Sequence, residues 1–134
     1  SSAASDVYKR QFVVMIGTNN TGGRMDKPED IAKGVRAILD LLQAAEPRTP
    51  VILYRIFPRG AKADDAMRLN NDKANELIVA NLPAGVSVRD LAPKFLEADG
   101  TLPKALMPDL LHPNRKGYEI WAEDLKAALA ALPR

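Results

Sequence analysis

The chain predicts an α/β domain, with a parallel sheet covered by helices on both faces. Three observations carry that expectation. Short apolar runs rich in β-branched residues occur at 12–16, 51–56 and 86–91. Amphipathic helical stretches separate and follow them, and Gly or Pro bounds each run. The chain has 134 residues, enough for one domain and too few for two of ordinary size.

The first run, Phe-Val-Val-Met-Ile, is continuously apolar, as a strand buried on both faces requires. Pro28, Glu29 and Asp30 make a good first helical turn, after which Ile31, Val35, Ile38, Leu39 and Leu42 share one face. The second run, 51–56, resembles the first. A second helix follows it, with a narrower stripe of Ala66, Leu69, Lys73, Ala74, Leu77 and Ile78. The third run, 86–91, is weaker and alternates apolar with polar residues. The last helix is expected over 115–132, capped by Asn114, with Tyr118, Trp121, Ala122, Leu125 and Leu129 on one side. The two aromatics at helical spacing are expected to pack against the sheet.

Composition narrows the function classes. At 46% hydrophobic and 27% charged, the chain has an ordinary globular balance. A net charge of +2 with scattered Lys and Arg and 5% aromatics speaks against a nucleic-acid surface. No apolar run reaches the length of a membrane span. Without cysteines there is no disulfide or thiolate chemistry. One histidine and dispersed carboxylates predict no metal site. Gly22-Gly23 lacks the spacing of a phosphate loop, so no cofactor is expected.

Residues 1–11 differ from the rest. Asp6-Val7-Tyr8-Lys9-Arg10-Gln11 is what GATGTGTATAAGAGACAG encodes, the end of a transposon adapter used in sequencing libraries. The expectation is therefore a non-native tail over 1–11, with a natural sequence over 12–134 that extends further upstream. Without Asp6, Lys9 and Arg10 the net positive charge falls by one unit.

Ligands of such sheets sit beyond the carboxyl ends of the strands. Gly17-Thr18-Asn19-Asn20 follows the first strand there, and Pro58-Arg59-Gly60 follows the second. Asp109-Leu110-Leu111-His112-Pro113-Asn114 holds the only histidine. A carboxylate three residues before an imidazole, in a loop entering a helix, suits a base and the group that orients it.

In this order the landmarks resemble the SGNH (GDSL-type) hydrolases, with the closer match to their platelet-activating-factor acetylhydrolase-like branch. Gly17-Thr18-Asn19-Asn20 resembles the family's Gly-x-Asn-Asp block, with Asn20 in place of its Asp. Asp109-Leu110-Leu111-His112 resembles its Asp-x-x-His block. Phe57-Pro58-Arg59-Gly60, the spacing of Arg68, Asn71 and Asn75, Asp99-Gly100, and Gly117-Tyr118 are also similar to that branch. The similarity covers nearly everything from Phe12 onward, but the Gly-Asp-Ser block and the second-block Gly are absent.

The resemblance implies a flavodoxin-like three-layer α/β/α sandwich whose N-terminal strands are missing here. It also implies hydrolysis of small acyl esters, acetyl esters above all, of a carbohydrate or lipid. His112 would be the general base, Asp109 its orienting partner and Asn19 a donor to the oxyanion. Gly17 and Asn20 would support the loop, and Arg59 would meet an anionic or sugar group. Arg68, Asn71 and Asn75 read better as helix-to-loop hydrogen bonding than as chemistry. A periplasmic or secreted setting suits many relatives, with any leader lying upstream of Phe12.

The serines are Ser1, Ser2, Ser5 and Ser87. None sits at a strand-to-helix turn, where an activated nucleophile belongs. The expectation is a serine-esterase fragment, inactive alone, with a non-catalytic flavodoxin-like binding or interaction module as the alternative. An apolar sheet edge at 12–16 is expected to self-associate.

Overall fold

The computed structural model of the chain describes residues 11–15 and 26–132. Three parallel strands, β1 (Phe12–Val14), β2 (Val51–Tyr54) and β3 (Val86–Arg89), lie in the order β1-β2-β3. Phe12 pairs with Val51, Val51 with Val86, and Tyr54 with Arg89. The helices are α1 (Pro28–Ala45), α2 (Ala66–Ala80), the short α3 (Ala92–Phe95) and α4 (Arg115–Ala130).

Alternation along β2 divides the core into two layers. Val51 and Leu53 point to one face, where Ile31, Val35 and Leu39 of α1 and Ala74 and Ile78 of α2 cover them. Ile52 and Tyr54 point to the other, against Phe57, Leu91, Phe95, Leu102, Met107 and Ala128 of α4. This is the three-layer α/β/α sandwich. All four residues of β2 are at most 2% exposed, and each such side chain contributes about 1.5–3 kcal/mol by leaving water. The second layer also holds a chain of edge-to-face rings, with Phe57 set 5.5 Å from Phe95 and 5.9 Å from Trp121.

Several expectations need correcting. The strands are shorter than their apolar runs, because residues 55–60 and 90–91 turn away to build the loops at the strand ends. Helix α3 was not foreseen. On α1, Ile38 is 39% exposed rather than buried with its neighbours. Helix α2 buries a partly polar face of Arg68, Asn71, Ala74, Asn75 and Ile78, while Leu69, expected inside, is 53% exposed. Helix α4 is turned slightly from its expected face, though Trp121, Leu125 and Leu129 pack against the core as expected. Gly117, Asp124 and Ala128 point inward, Ala122 is exposed, and Tyr118 is 48% exposed rather than packed on the sheet. Trp121 does pack inward, its ring 5.9 Å from that of Tyr54. Both rotations have one cause: buried polar groups are matched to partners on other elements.

Candidate active site

Asp109 and His112 meet in the loop before α4. Oδ1 of Asp109 accepts from the backbone N–H groups of Leu111 at 2.9 Å and His112 at 2.7 Å. Its Oδ2 lies 2.7 Å from Nδ1 of His112. The backbone N–H of His112, and then its ring, hold the Asp109 carboxyl down at about 2. An ionised Asp109 is an acceptor only, so the neutral imidazole carries its proton on Nδ1 and leaves Nε2 free to take one. Both side chains are more than half exposed.

This loop owes its shape to its neighbours. Leu110 has φ +60°, the left-handed region that a leucine seldom occupies. Its side chain packs into the α4-side core, and its N–H donates to the Met107 carbonyl at 2.8 Å. Its own carbonyl accepts from the Gly60 N–H at 3.1 Å. The loop after β2 is thereby joined to the loop carrying His112. Gly60 has φ +80°, and a Cβ there would stand 2.4 Å from Cγ of Asp65, whose carboxylate caps α2 by accepting from the Met67 N–H.

Two side chains of α2 hold the β2–α2 segment from beneath. Asn75 accepts from the Ile56 N–H at 2.7 Å and donates to the Ile56 carbonyl at 3.1 Å, in place of a further ladder rung. Arg68, 2% exposed, donates to the carbonyls of Arg59, Gly60 and Gly100. On the far side, Asn114 fixes the start of α4. Its Oδ1 accepts from the Gly117 N–H, and its Nδ2 donates to the Ala105 carbonyl. A Cβ on Gly117 would lie 2.8 Å from Cβ of Pro113 and 2.9 Å from the Leu106 carbonyl, so this turn sits hard against the His112 loop.

Helix α4 is anchored further along by Asp124. This carboxylate accepts from Tyr54 Oη at 2.9 Å, from Arg89 through Nε and an Nη, and from Lys94 Nζ at 3.0 Å. The pairing of Tyr54 with Arg89 across the strands brings both donors to the same face. The Arg89 guanidinium holds the Asp124 carboxyl far below the usual carboxylate range. Burial, reinforced by that carboxylate, pushes the Tyr54 phenol up to about 12.

Asp109 and His112 are thus together, and Arg59 is half-buried in the adjoining loop. Gly17, Asn19 and Asn20 lie outside the described residues. Ser87 sits on β3, its Oγ 3.4 Å from the Val51 carbonyl. Among the described residues no three His, Cys, Asp or Glu side chains are grouped to hold a metal, and no helix is long and apolar enough to cross a membrane. The left-handed Leu110, the Gly60–Leu110 bond and the Asp124 cluster were missed. Only the Gly60 and Gly117 positions had left a trace in the sequence.

A family model described as GDSL-like Lipase/Acylhydrolase matches residues 2–120. The chain belongs to this GDSL-like lipase/acylhydrolase family. Within it, the relatives place the chain in the platelet-activating-factor acetylhydrolase-like branch. It is 35% identical over 109 residues to platelet-activating factor acetylhydrolase IB subunit alpha2 of Gallus gallus, covering 80% of this chain and 46% of that one. Against the Homo sapiens alpha2 subunit it is 32% identical over 115 residues, covering 84% and 48%. The chain therefore spans about half the length of the curated relatives it matches. Two solved structures share the fold of this GDSL-like chain. One, from Streptococcus pneumonia, is described as a candidate platelet activating factor; it gives a TM-score of 0.70 at 21% identity, covering 89% of this chain and 59% of that one. A carbohydrate esterase family 3 protein from Talaromyces cellulolyticus gives 0.61 at 24% identity, covering 88% and 56%.

Proposed function

We propose that this chain carries the acid–base half of a serine-esterase site that removes small acyl groups, acetyl above all, from a carbohydrate or lipid alcohol. The observation behind this reading is the Asp109–His112 pair, with Oδ2 and Nδ1 2.7 Å apart and the other carboxylate oxygen tied down by two backbone N–H groups. In this reading His112 Nε2 takes the proton from a serine hydroxyl as its oxygen attacks the ester carbonyl. The Asn19 side chain donates to the resulting oxyanion, a contact worth about 3–4 kcal/mol in such sites. Collapse of the tetrahedral intermediate breaks the ester C–O bond, and His112 returns its proton to the leaving alcohol. Water then repeats the sequence on the acyl-enzyme and releases the carboxylic acid. Asp109 keeps the imidazole in the correct tautomer and stabilises its cation. Gly17 and Asn20 shape the Asn19 loop, and Arg59 meets the polar part of the substrate.

The nucleophile in this proposal belongs to a Gly-Asp-Ser block N-terminal to Phe12 in a longer protein, with residues 1–11 a non-native tail. The roughly twofold length of the relatives supports the longer protein. Sequencing upstream of the Phe12 codon in the source DNA, and expressing what is found there in frame with 12–134, tests the reading. The expected result is an in-frame Gly-Asp-Ser and hydrolysis of p-nitrophenyl acetate that H112A abolishes, with the 134-residue chain inactive. An upstream sequence without that block would turn the assignment toward a non-catalytic binding module, and turnover indifferent to H112A would remove His112 from the site.

A further inference from the structure

Arg68 is the most deeply buried cation among the described residues, and no hydrogen bond of its guanidinium goes to a carboxylate. Its three bonds go instead to main-chain carbonyls on two separate loops. Nε donates to Arg59 at 2.9 Å and one Nη to Gly60 at 2.7 Å, both after β2. The other Nη donates to Gly100 at 2.8 Å, in the loop after α3. A planar fork with fixed donor directions can hold three acceptors at once, whereas a lysine ammonium concentrates its donors at one point. Burial lowers the Arg68 pKa, while the charges of Asp72 and Asp65 oppose that fall.

The same two loops reach the histidine. The N–H of Gly60, whose carbonyl Arg68 holds, donates to the carbonyl of Leu110. Leu110 lies inside the Asp109–His112 turn and holds a left-handed backbone that the turn requires. The Leu102 N–H donates to the Ala61 carbonyl at 2.9 Å, which closes the strand-end loop against the segment leading to Met107 and Asp109. The Arg68 guanidinium is therefore linked to the Asp-to-His hinge through two hydrogen bonds and the one peptide unit between them, Arg59–Gly60.

We infer that Arg68 is a positioning residue for His112: by clamping Arg59, Gly60 and Gly100 it sets the Gly60–Leu110 bond that holds the Asp109–His112 turn in shape. The inference rests on the reading of Asp109 and His112 as a working pair, and its test does not need catalysis.

As the only histidine, His112 gives a single imidazole spectrum in the 134-residue chain. The first measurement is the downfield Nδ1–H resonance of His112 and its exchange rate in the parent chain, R68M and N75A. Asn75 is the control, because it fastens the same helix to Ile56 and makes no bond to Gly60. In R68M the resonance is expected to exchange at least tenfold faster, and the Asp109 carboxyl to titrate well above its parent value of about 2. N75A is expected to retain both signatures while lowering the melting temperature. R68K, which keeps the cation, takes the place of R68M if that variant does not fold, and is expected to lose protection in the same direction. Parent-like exchange in a folded Arg68 variant would overturn the inference, as would an equal loss in N75A. Imidazole nitrogen shifts in the parent chain that report the proton on Nε2 rather than Nδ1 would overturn the Asp109–His112 pairing and the inference with it. An inactive upstream-extended enzyme with the resonance intact would sink only the esterase reading.

Discussion

Replacing Asp124 by Asn keeps the size of the side chain and removes the charge on which three donors converge. Asp124 is 4% exposed, and Tyr54 Oη, the Arg89 fork and Lys94 Nζ all bond to it. The amide offers one acceptor oxygen and turns an N–H₂ toward cations. Hydrogen bonds to a charged group contribute about 1.5–3 kcal/mol each. Lys94 is half exposed and recovers its hydration, so its share is below about 1 kcal/mol. Arg89 is about one-third exposed and recovers part. The expected cost is about 3 kcal/mol, at the lower end of the range for breaking a buried pair. In a chain of this size that lowers Tm by roughly 10 °C.

Thermal melts at pH 7 provide the assay, followed through Trp121, the only tryptophan, whose ring abuts Tyr54 and Phe57. A pH series supplies the sign. The Asp124 carboxyl is depressed in the folded chain, so its stabilisation is complete above the unfolded value of about 3.9 and fades as pH falls through the lower folded value. The gap between parent and D124N should therefore shrink below about pH 4. A D124N melt within about 2 °C of the parent at pH 7, or a gap that does not change down to pH 2, would refute the assignment of Asp124 as the anchor of α4.

Asp109 lies in the same direction: its carboxyl is expected to titrate at about 2 by carbon NMR, with the ionised turn intact above about pH 4 and lost as pH falls toward 2, and an ordinary value would contradict the turn geometry. In the upstream-extended enzyme, D109N should lower kcat by about 10³–10⁴ with little change in KM; a tenfold effect would remove Asp109 from the site. N75A leaves the Ile56 N–H and carbonyl without their side-chain partner and should cost about 2–3 kcal/mol in urea unfolding, whereas a cost under 0.5 would mean that water replaces it. G60A combines φ +80° with a clash at Asp65 and should cost about 2 kcal/mol, so a parent-like melt would show that the loop relaxes freely. Sedimentation of the 134-residue chain should show concentration-dependent association reduced by V13K, since Val13 is 39% exposed on a strand paired only with β2 among the described residues; a strict monomer would count against an apolar edge.

The sequence was legible where burial is purely apolar. Ile31, Val35 and Leu39 repeat at helical spacing and do cover the sheet, and the run at 51–56 contains the central strand. Reading failed at Asp124, because a pattern that rewards apolar spacing turns it outward, and for Arg68 it reached the helix-to-loop hydrogen bonding that is found but not the carbonyls involved. Their burial is offset by carbonyls and cations that come from elements 30 or more residues away in several cases, and no local window contains those partners. The Asp-to-His pairing was readable because it closes within four residues. The bend that aims it was not. It depends on Gly60, fifty residues earlier, and on a backbone angle that leucine statistics would never suggest.

Leu110 also bears on transplanting this turn into another scaffold. A left-handed leucine costs about 1 kcal/mol or more over an ordinary turn conformer, and here the hydrophobic seat beneath its side chain offsets that cost. Copying Asp-Leu-Leu-His onto the tip of another protein would carry over the letters and leave the seat behind. The graft would relax to a right-handed turn and swing the imidazole away from its carboxylate. A faithful graft must take the floor along with the tetrapeptide: the hollow under Leu110 and a backbone N–H in the place of that of Gly60.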